Sequence, residues 1–199
     1  MKVIAVDYRK APQFTYPAAS EDMEAVYRHE LQSNKAKNIG VYGCSAGGTL
    51  VAESVVWFQQ RNLPRPGAIA IMCSGAMKNF WFGGDSNAVS GLLNGQPSPK
   101  AEPGAYFKGV DVTQAAVTPG LHPDVLRKFP PTLMVTGTRD IAMSNVIVTH
   151  AALLKAGVDA RLFVQEGLGH GQFFIFAGTP ESATAYDVIW NFFDQHLGR

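Results

Sequence analysis

The sequence predicts an α/β fold: a mostly parallel sheet of about five strands flanked by helices. Two observations carry this. Short β-rich apolar runs alternate with longer stretches of helical apolar spacing, and the runs are apolar at nearly every position, as strands buried on both faces are. The composition agrees. With 199 residues, 46% hydrophobic and 17% charged, the chain has the material for a real core. It is expected to form one domain over residues 1–199, interrupted by an irregular insertion at 74–129.

Residues 2–7 read as the first strand, since Val3, Ile4, Ala5 and Val6 form an unbroken apolar run. Ser20 can N-cap the helix that follows, with Glu21 and Asp22 in its first turn, where the macrodipole favours acids. That helix should run to about Gln32. Residues 39–44 form the second strand and 47–60 a helix carrying Leu50, Val51, Val55 and Phe58. Residues 68–73 form the third strand. From Ser74 to Phe129 the periodicity fades under repeated Gly and Pro, leaving loops and a short helix at 122–128. Regularity then returns, with a strand at 132–136, a helix at 145–156 ended by Gly157, and a strand at 160–165. Thr179, Pro180 and Glu181 open the last helix as a cap, a Pro at its first position and an acid. Val188, Ile189, Phe192 and Phe193 give it an apolar stripe, and Gly198 closes it.

The formal net charge is +1 and the basic residues are scattered. There is thus no electrostatic footprint for a nucleic acid or an anionic membrane surface. No run of eighteen apolar residues suggests a membrane span, and the N-terminus has no signal-peptide pattern. Two cysteines make no disulfide framework. Cys44 and Cys73 end apolar runs and read as small reduced core residues of a cytoplasmic chain. His/Cys/Asp spacings of metal sites are missing, as are glycine-rich nucleotide motifs, so neither a metal nor another cofactor is expected.

The strongest local signal is Gly43-Cys44-Ser45-Ala46-Gly47, lying between a strand and a helix. This is the G-x-S-x-G pattern of a nucleophile elbow. A sharp strand-to-helix turn strains the serine, and side chains at Gly43 and Gly47 are expected to collide with neighbouring backbone. The turn would lift the Ser45 hydroxyl to the end of the sheet and aim the Ala46 N–H, at the helix N-terminus, at a developing oxyanion. A serine needs a base and an orienting acid, and on such a sheet each follows a strand. Asp140 follows the strand near 132–136, and His170 follows the strand near 160–165. Asp140 also reads as a helix-capping aspartate and His170 as a solvated loop histidine. Gly167, Gly169 and Gly171 favour the first role for His170, because they imply backbone shaped to place one side chain. Glu166 is a rival acid, ranked lower because it is so close to His170 in sequence. His29, His150 and His196 fall on helices and His122 in the irregular segment. Tyr186, Trp190, Phe192 and Phe193 lie at helical spacing and read as core, and Phe80, Trp81 and Phe82 read equally as core or as a candidate wall for a bound acyl or alcohol group.

These motifs have a wider setting. Val3-Ile4-Ala5-Val6-Asp7-Tyr8-Arg9, Ala11-Pro12, Tyr16-Pro17-Ala18-Ala19 and Glu21-Asp22 resemble the hormone-sensitive-lipase family of bacterial esterases. Gly43 to Gly48, Pro130 to Leu133, Gly137 to Asp140 and Glu166 to His170 continue the likeness over nearly the whole chain. The resemblance implies an α/β-hydrolase fold and hydrolysis of short-chain acyl esters without a cofactor. In it Ser45 is the nucleophile, His170 the base and Asp140 the acid. Two departures stand out. Cys44 occupies a place where the family usually has an acidic residue. The family's upstream HGGG oxyanion segment and the first three strands are absent, so the chain reads as N-terminally truncated relative to the family. The family's strand order puts one missing strand between residues 2–7 and 39–44. Those two segments must close up, leave a gap, or be bridged by a second chain in a homo-oligomer. Two alternatives stay open: a catalytically weak or inactive hydrolase serving as a binding or oligomerising module, and a lactone hydrolase.

Overall fold

β1 (Gly40–Cys44), β2 (Ala68–Met72), β3 (Thr132–Arg139) and β4 (Ala160–Gly169) lie side by side in that order, every neighbouring pair parallel. The computed structural model describes residues 2–77 and 104–198. Parallel neighbours need a crossover, and helices supply it. α1 (Ala18–Glu30) precedes the sheet, and α2 (Ala46–Gln60) links β1 to β2. Among residues 104–129 the chain makes two 3₁₀ turns, Ala105–Phe107 and Pro119–Leu121, and the short α3 (Pro123–Leu126). α3 is shorter than the helix expected at 122–128, because the Lys128 and Phe129 N–H groups bond three residues back, to Val125 and Leu126, and not four. α4 (Met143–Lys155) links β3 to β4, and the chain ends with the single-turn α5 (Gln172–Ile175) and α6 (Pro180–His196). Gly157 adopts φ +79° just beyond α4, and Thr179 accepts the Ser182 N–H at the start of α6, both as expected. No helix among the described residues is long and apolar enough to cross a membrane.

β2 shows why the sheet is covered on both faces. Ile69 and Ile71 point into one cluster with Val51 and Val55 of α2, Met134 of β3, and Val146 and Leu153 of α4. Ala68, Ala70 and Met72 point the other way, toward Leu133, Val135 and Ile189, Phe192 and Phe193 of α6. Each fully buried Leu, Ile or Phe contributes about 1.5–3 kcal/mol, so these two layers hold β2 and β3 as the rigid middle of the sheet.

Three expectations need correction. Residues 2–7 form no strand. A strand exists by pairing, and no described segment lies beside this one to carry a ladder. A groove of about 530 Å³ separates Lys2 to Val6 from Asn38 to Tyr42, and Val3 and Ile4 are exposed. Of the outcomes left open for these two segments, they do not close up within this chain, and the sheet has four described strands rather than about five. Ser20 does not cap α1. The helix begins earlier, at Ala18, because the Tyr106 hydroxyl accepts the Ala19 N–H at 2.8 Å and Tyr106 lies far away in sequence. Finally, β3 and β4 run past the expected ends at 136 and 165. Their pairing continues through an irregularity at Gly137/Arg139, where Arg139 faces Gly169.

Glu53 breaks the apolar pattern of α2. It is 2% exposed and its Oε1 has no hydrogen-bond partner among the described residues. Burial holds its carboxyl well above the usual carboxylate value, so the folded state keeps a proton that the unfolded state releases. Stability from this group is therefore fully present below the ordinary value of 4.5 and is lost as pH rises toward the folded value. Glu53→Met is expected to stabilise the chain by about 1–3 kcal/mol at pH 8, and by less at pH 5. Urea denaturation at both pH values checks this. A gain that did not grow with pH would contradict it.

Candidate active site

Three strands end one residue before the three candidate side chains. Cys44 closes β1 and Ser45 follows, Arg139 closes β3 and Asp140 follows, and Gly169 closes β4 and His170 follows. Because the strands are parallel, all three side chains emerge at the same edge of the sheet. The longer β3–β4 pairing carries Asp140 and His170 out together.

Ser45 sits at φ 57°, ψ −122°, a conformation costly for any residue with a Cβ. It is held from both sides. Its N–H donates to the Met72 carbonyl at 2.9 Å, and its carbonyl accepts the Thr49 N–H at 3.1 Å. Gly43 is required here, since a Cβ on it would lie 2.4 Å from the Gly47 carbonyl carbon and oxygen. Gly47 corrects the expectation made for it, because a Cβ there meets nothing within 4 Å. The second crowded glycine is Gly48, where a Cβ would come within 2.8 Å of the Ser74 Cβ and 3.1 Å of the Gly43 carbonyl oxygen. Gly43→Ala is expected to cost about 3 kcal/mol, because backbone on both sides of the turn must move. Urea denaturation reads this directly, and a loss under about 0.5 kcal/mol would mean that the turn has room to spare.

The side chains form a hydrogen-bonded line. His170 Nε2 lies 2.8 Å from Ser45 Oγ, and His170 Nδ1 lies 2.7 Å from Asp140 Oδ1. Asp140 is fully buried and multiply held. Its Oδ1 also accepts the Ala142 N–H at 2.8 Å, and its Oδ2 accepts the Thr136 hydroxyl at 2.9 Å. The loop leading to His170 is shaped by Gly167 (φ +77°), whose N–H donates to Thr138 Oγ1 at 2.8 Å, and by Gly171 (φ +62°). The Gly169 N–H donates to Gln172 Oε1 at 2.8 Å. Glu166, the rival acid, is exposed, and Asp140 is the carboxylate on the imidazole.

Electrostatics follow from this geometry. Burial alone would raise Asp140, but the His170 hydrogen bond, the Ala142 N–H and Thr136 together hold it below the usual aspartate range. Burial would lower His170, yet the hydrogen bond and charge of Asp140 outweigh it and the imidazole is raised. Serine hydroxyl, imidazole and ionised carboxylate in this order can pass a proton from oxygen to nitrogen while the carboxylate stabilises the imidazolium formed.

Sequence reasoning missed several supports. Thr136 stands four residues before Asp140, where the sequence marks only the end of a strand. Cys73 is buried, and its Sγ accepts the Gly171 N–H at 3.2 Å. Cys44 is only partly buried, and both cysteines are free. Cys73, Asp140 and His170 also offer ligand atoms within 4.8 Å of one another. A metal held there would compete with the His170–Asp140 hydrogen bond for the same atoms. Beside the elbow a cavity of about 480 Å³ is lined by Ser45, Ala46, Thr49, Glu53, Tyr8 and Tyr106, among others. Ala46 opens α2, where N–H groups have no partner within the helix. Phe80, Trp81 and Phe82 lie outside the described residues.

Known proteins share this arrangement of chain. A family model described as alpha/beta hydrolase fold matches residues 1–174. An acetyl-hydrolase of Streptomyces hygroscopicus is 24% identical over 198 residues, covering 96% of this chain and 64% of that protein. An acetyl esterase of Salmonella paratyphi B is 26% identical over 165 residues, covering 76% and 49%. Among solved structures, esterase E25 superposes with a TM-score of 0.81 at 32% identity, over 96% of this chain and 59% of that one. An esterase from the bacterial hormone-sensitive lipase family gives a TM-score of 0.82 at 26% identity, over 96% and 65%. The chain thus spans less than two thirds of the length of these relatives.

Proposed function

Because this chain belongs to the alpha/beta hydrolase fold family, we propose that it hydrolyses carboxylic esters of short acyl chains through Ser45, His170 and Asp140. The reading rests on one observation above the others, the unbroken hydrogen-bonded line from Ser45 Oγ through the imidazole to Asp140. Relatives named as acetyl esterase and acetyl-hydrolase support a small acyl group.

His170 Nε2 takes the Ser45 proton as Oγ attacks the acyl carbonyl carbon. The carbonyl oxygen becomes an oxyanion facing the Ala46 N–H at the N-terminus of α2. The C–O bond to the alcohol then breaks, and the alcohol leaves with the proton from His170. The acyl group stays on Ser45. Water gives a proton to His170 and attacks the acyl carbon, and the acid departs as Oγ recovers its proton. Asp140 stays ionised throughout and keeps Nδ1 protonated, so that Nε2 is the free base. The partner is a small-molecule ester. We place the chain in the cytoplasm on the strength of its two free thiols.

Acid-quenched mixing with p-nitrophenyl acetate tests the reading. The expected result is an early burst of p-nitrophenolate, with one acetyl group on the peptide that contains Ser45. Turnover without acylation of that peptide, or no turnover at all, would overturn it.

A further inference from the structure

We propose that Cys44 and Cys73 form an oxidation site that takes a hydroperoxide and, as a disulfide, disengages His170; the consequence for activity rests on the esterase reading above. The two cysteines are placed by the sheet itself. Cys44 ends β1 opposite Met72, the last residue of β2, so Cys73 lies one step beyond the neighbouring strand, at φ 51°. Both sulfurs meet Gly171: Cys73 Sγ holds its N–H at 3.2 Å, and Cys44 Sγ lies 3.6 Å from where a Cβ on Gly171 would be. Each thiol's neighbour, ahead of burial, sets the two apart, drawing Cys44 down, with help from the His170 charge, and pushing Cys73 up.

The two differ as an attacking and a resolving thiol must. Cys44 is partly exposed and has the more thiolate character, whereas Cys73 is 1% exposed. Cys44 thiolate attacks the outer oxygen of the hydroperoxide, the O–O bond breaks, and the alcohol leaves with a proton, giving a Cys44 sulfenic acid. Cys73 sulfur then attacks Cys44 sulfur, and the hydroxyl leaves as water with the Cys73 proton. Two thiols lose two electrons and two protons, and the hydroperoxide is reduced to alcohol and water.

The disulfide acts on the reaction by position. Bonded sulfurs sit about 2.05 Å apart, so the two free sulfurs must approach each other, one of them on the residue that directly precedes Ser45. Cys73 sulfur is pulled from the Gly171 N–H, which fixes the residue following His170. The 2.8 Å contact between His170 Nε2 and Ser45 Oγ depends on both. Displacement of about 1 Å at such a contact costs about 10²-fold in rate.

The test treats the reduced, purified chain with hydrogen peroxide and reads three quantities: a disulfide-linked peptide pair by mass, p-nitrophenyl acetate hydrolysis, and the far-downfield proton resonance of His170 Nδ1. The expected result is a Cys44–Cys73 crosslink, about 10²-fold slower hydrolysis and a shifted resonance, all reversed by dithiothreitol. Failure of the crosslink to form overturns the proposal. So does a crosslink that leaves the resonance and the rate unchanged. The crosslink and the resonance do not require turnover, so they decide the thiol proposal even if ester hydrolysis itself is not observed.

Discussion

Ser45→Ala is expected to lower p-nitrophenyl acetate turnover by about 10⁴-fold or more without altering the fold. Residues acting as a unit lose nearly all of their effect when one is removed, and Ser45 is the member that bonds to the acyl group. What survives is catalysis by the Ala46 N–H and by binding alone. The fold is spared because alanine has the same Cβ as serine at φ 57°, and because both backbone hydrogen bonds of Ser45 remain. Steady-state kinetics and urea denaturation of both proteins check the two halves. Turnover within tenfold of the parent chain would remove Ser45 from the reaction.

Asp140→Asn is expected to cost about 10⁴-fold in turnover, with a change in pH dependence that a packing defect would not produce. Asparagine keeps the shape but loses the charge, and its amide competes for the wrong imidazole tautomer. The sign of the pH effect follows from the balance on His170. Burial lowers its pKa, Asp140 raises it by more, and the net shift is upward from the ordinary 6.5. His170 must be neutral to accept the Ser45 proton, so the parent chain's activity should rise through an acid limb above that value. Removing Asp140 leaves burial dominant, and the limb should move to lower pH. Profiles of kcat/KM for the two proteins measure this, and an unmoved limb would show that Asp140 does not govern His170.

The candidate residues were legible because each signal is local. Gly43 to Gly47 between a strand and a helix marks Ser45, and Asp140 and His170 each follow an apolar run. Parallel strands then bring three distant residues to one edge without any further information. What the sequence hid was non-local. Residues 2–7 have the composition of a strand, but strand structure depends on a neighbour, and the groove beside β1 shows that apolar pattern alone does not supply one. Ser20 has the chemistry of a cap, yet the helix start was set by Tyr106, 87 residues from Ala19 in the chain. The same reason hid the role of Cys73. Its contact with Gly171 spans 98 residues, and nothing around either position announces the other. That the crowding falls on Gly48 and not Gly47 stays hidden, because sequence shows glycines but not which of them meets its neighbours.

Reaction with a fluorophosphonate, followed by peptide mass mapping, tests most directly whether His170 makes the Ser45 oxygen nucleophilic. The account predicts a covalent adduct on Ser45 in the parent chain and almost none in His170→Ala. No adduct on Ser45, or equal labelling in the two proteins, would contradict it.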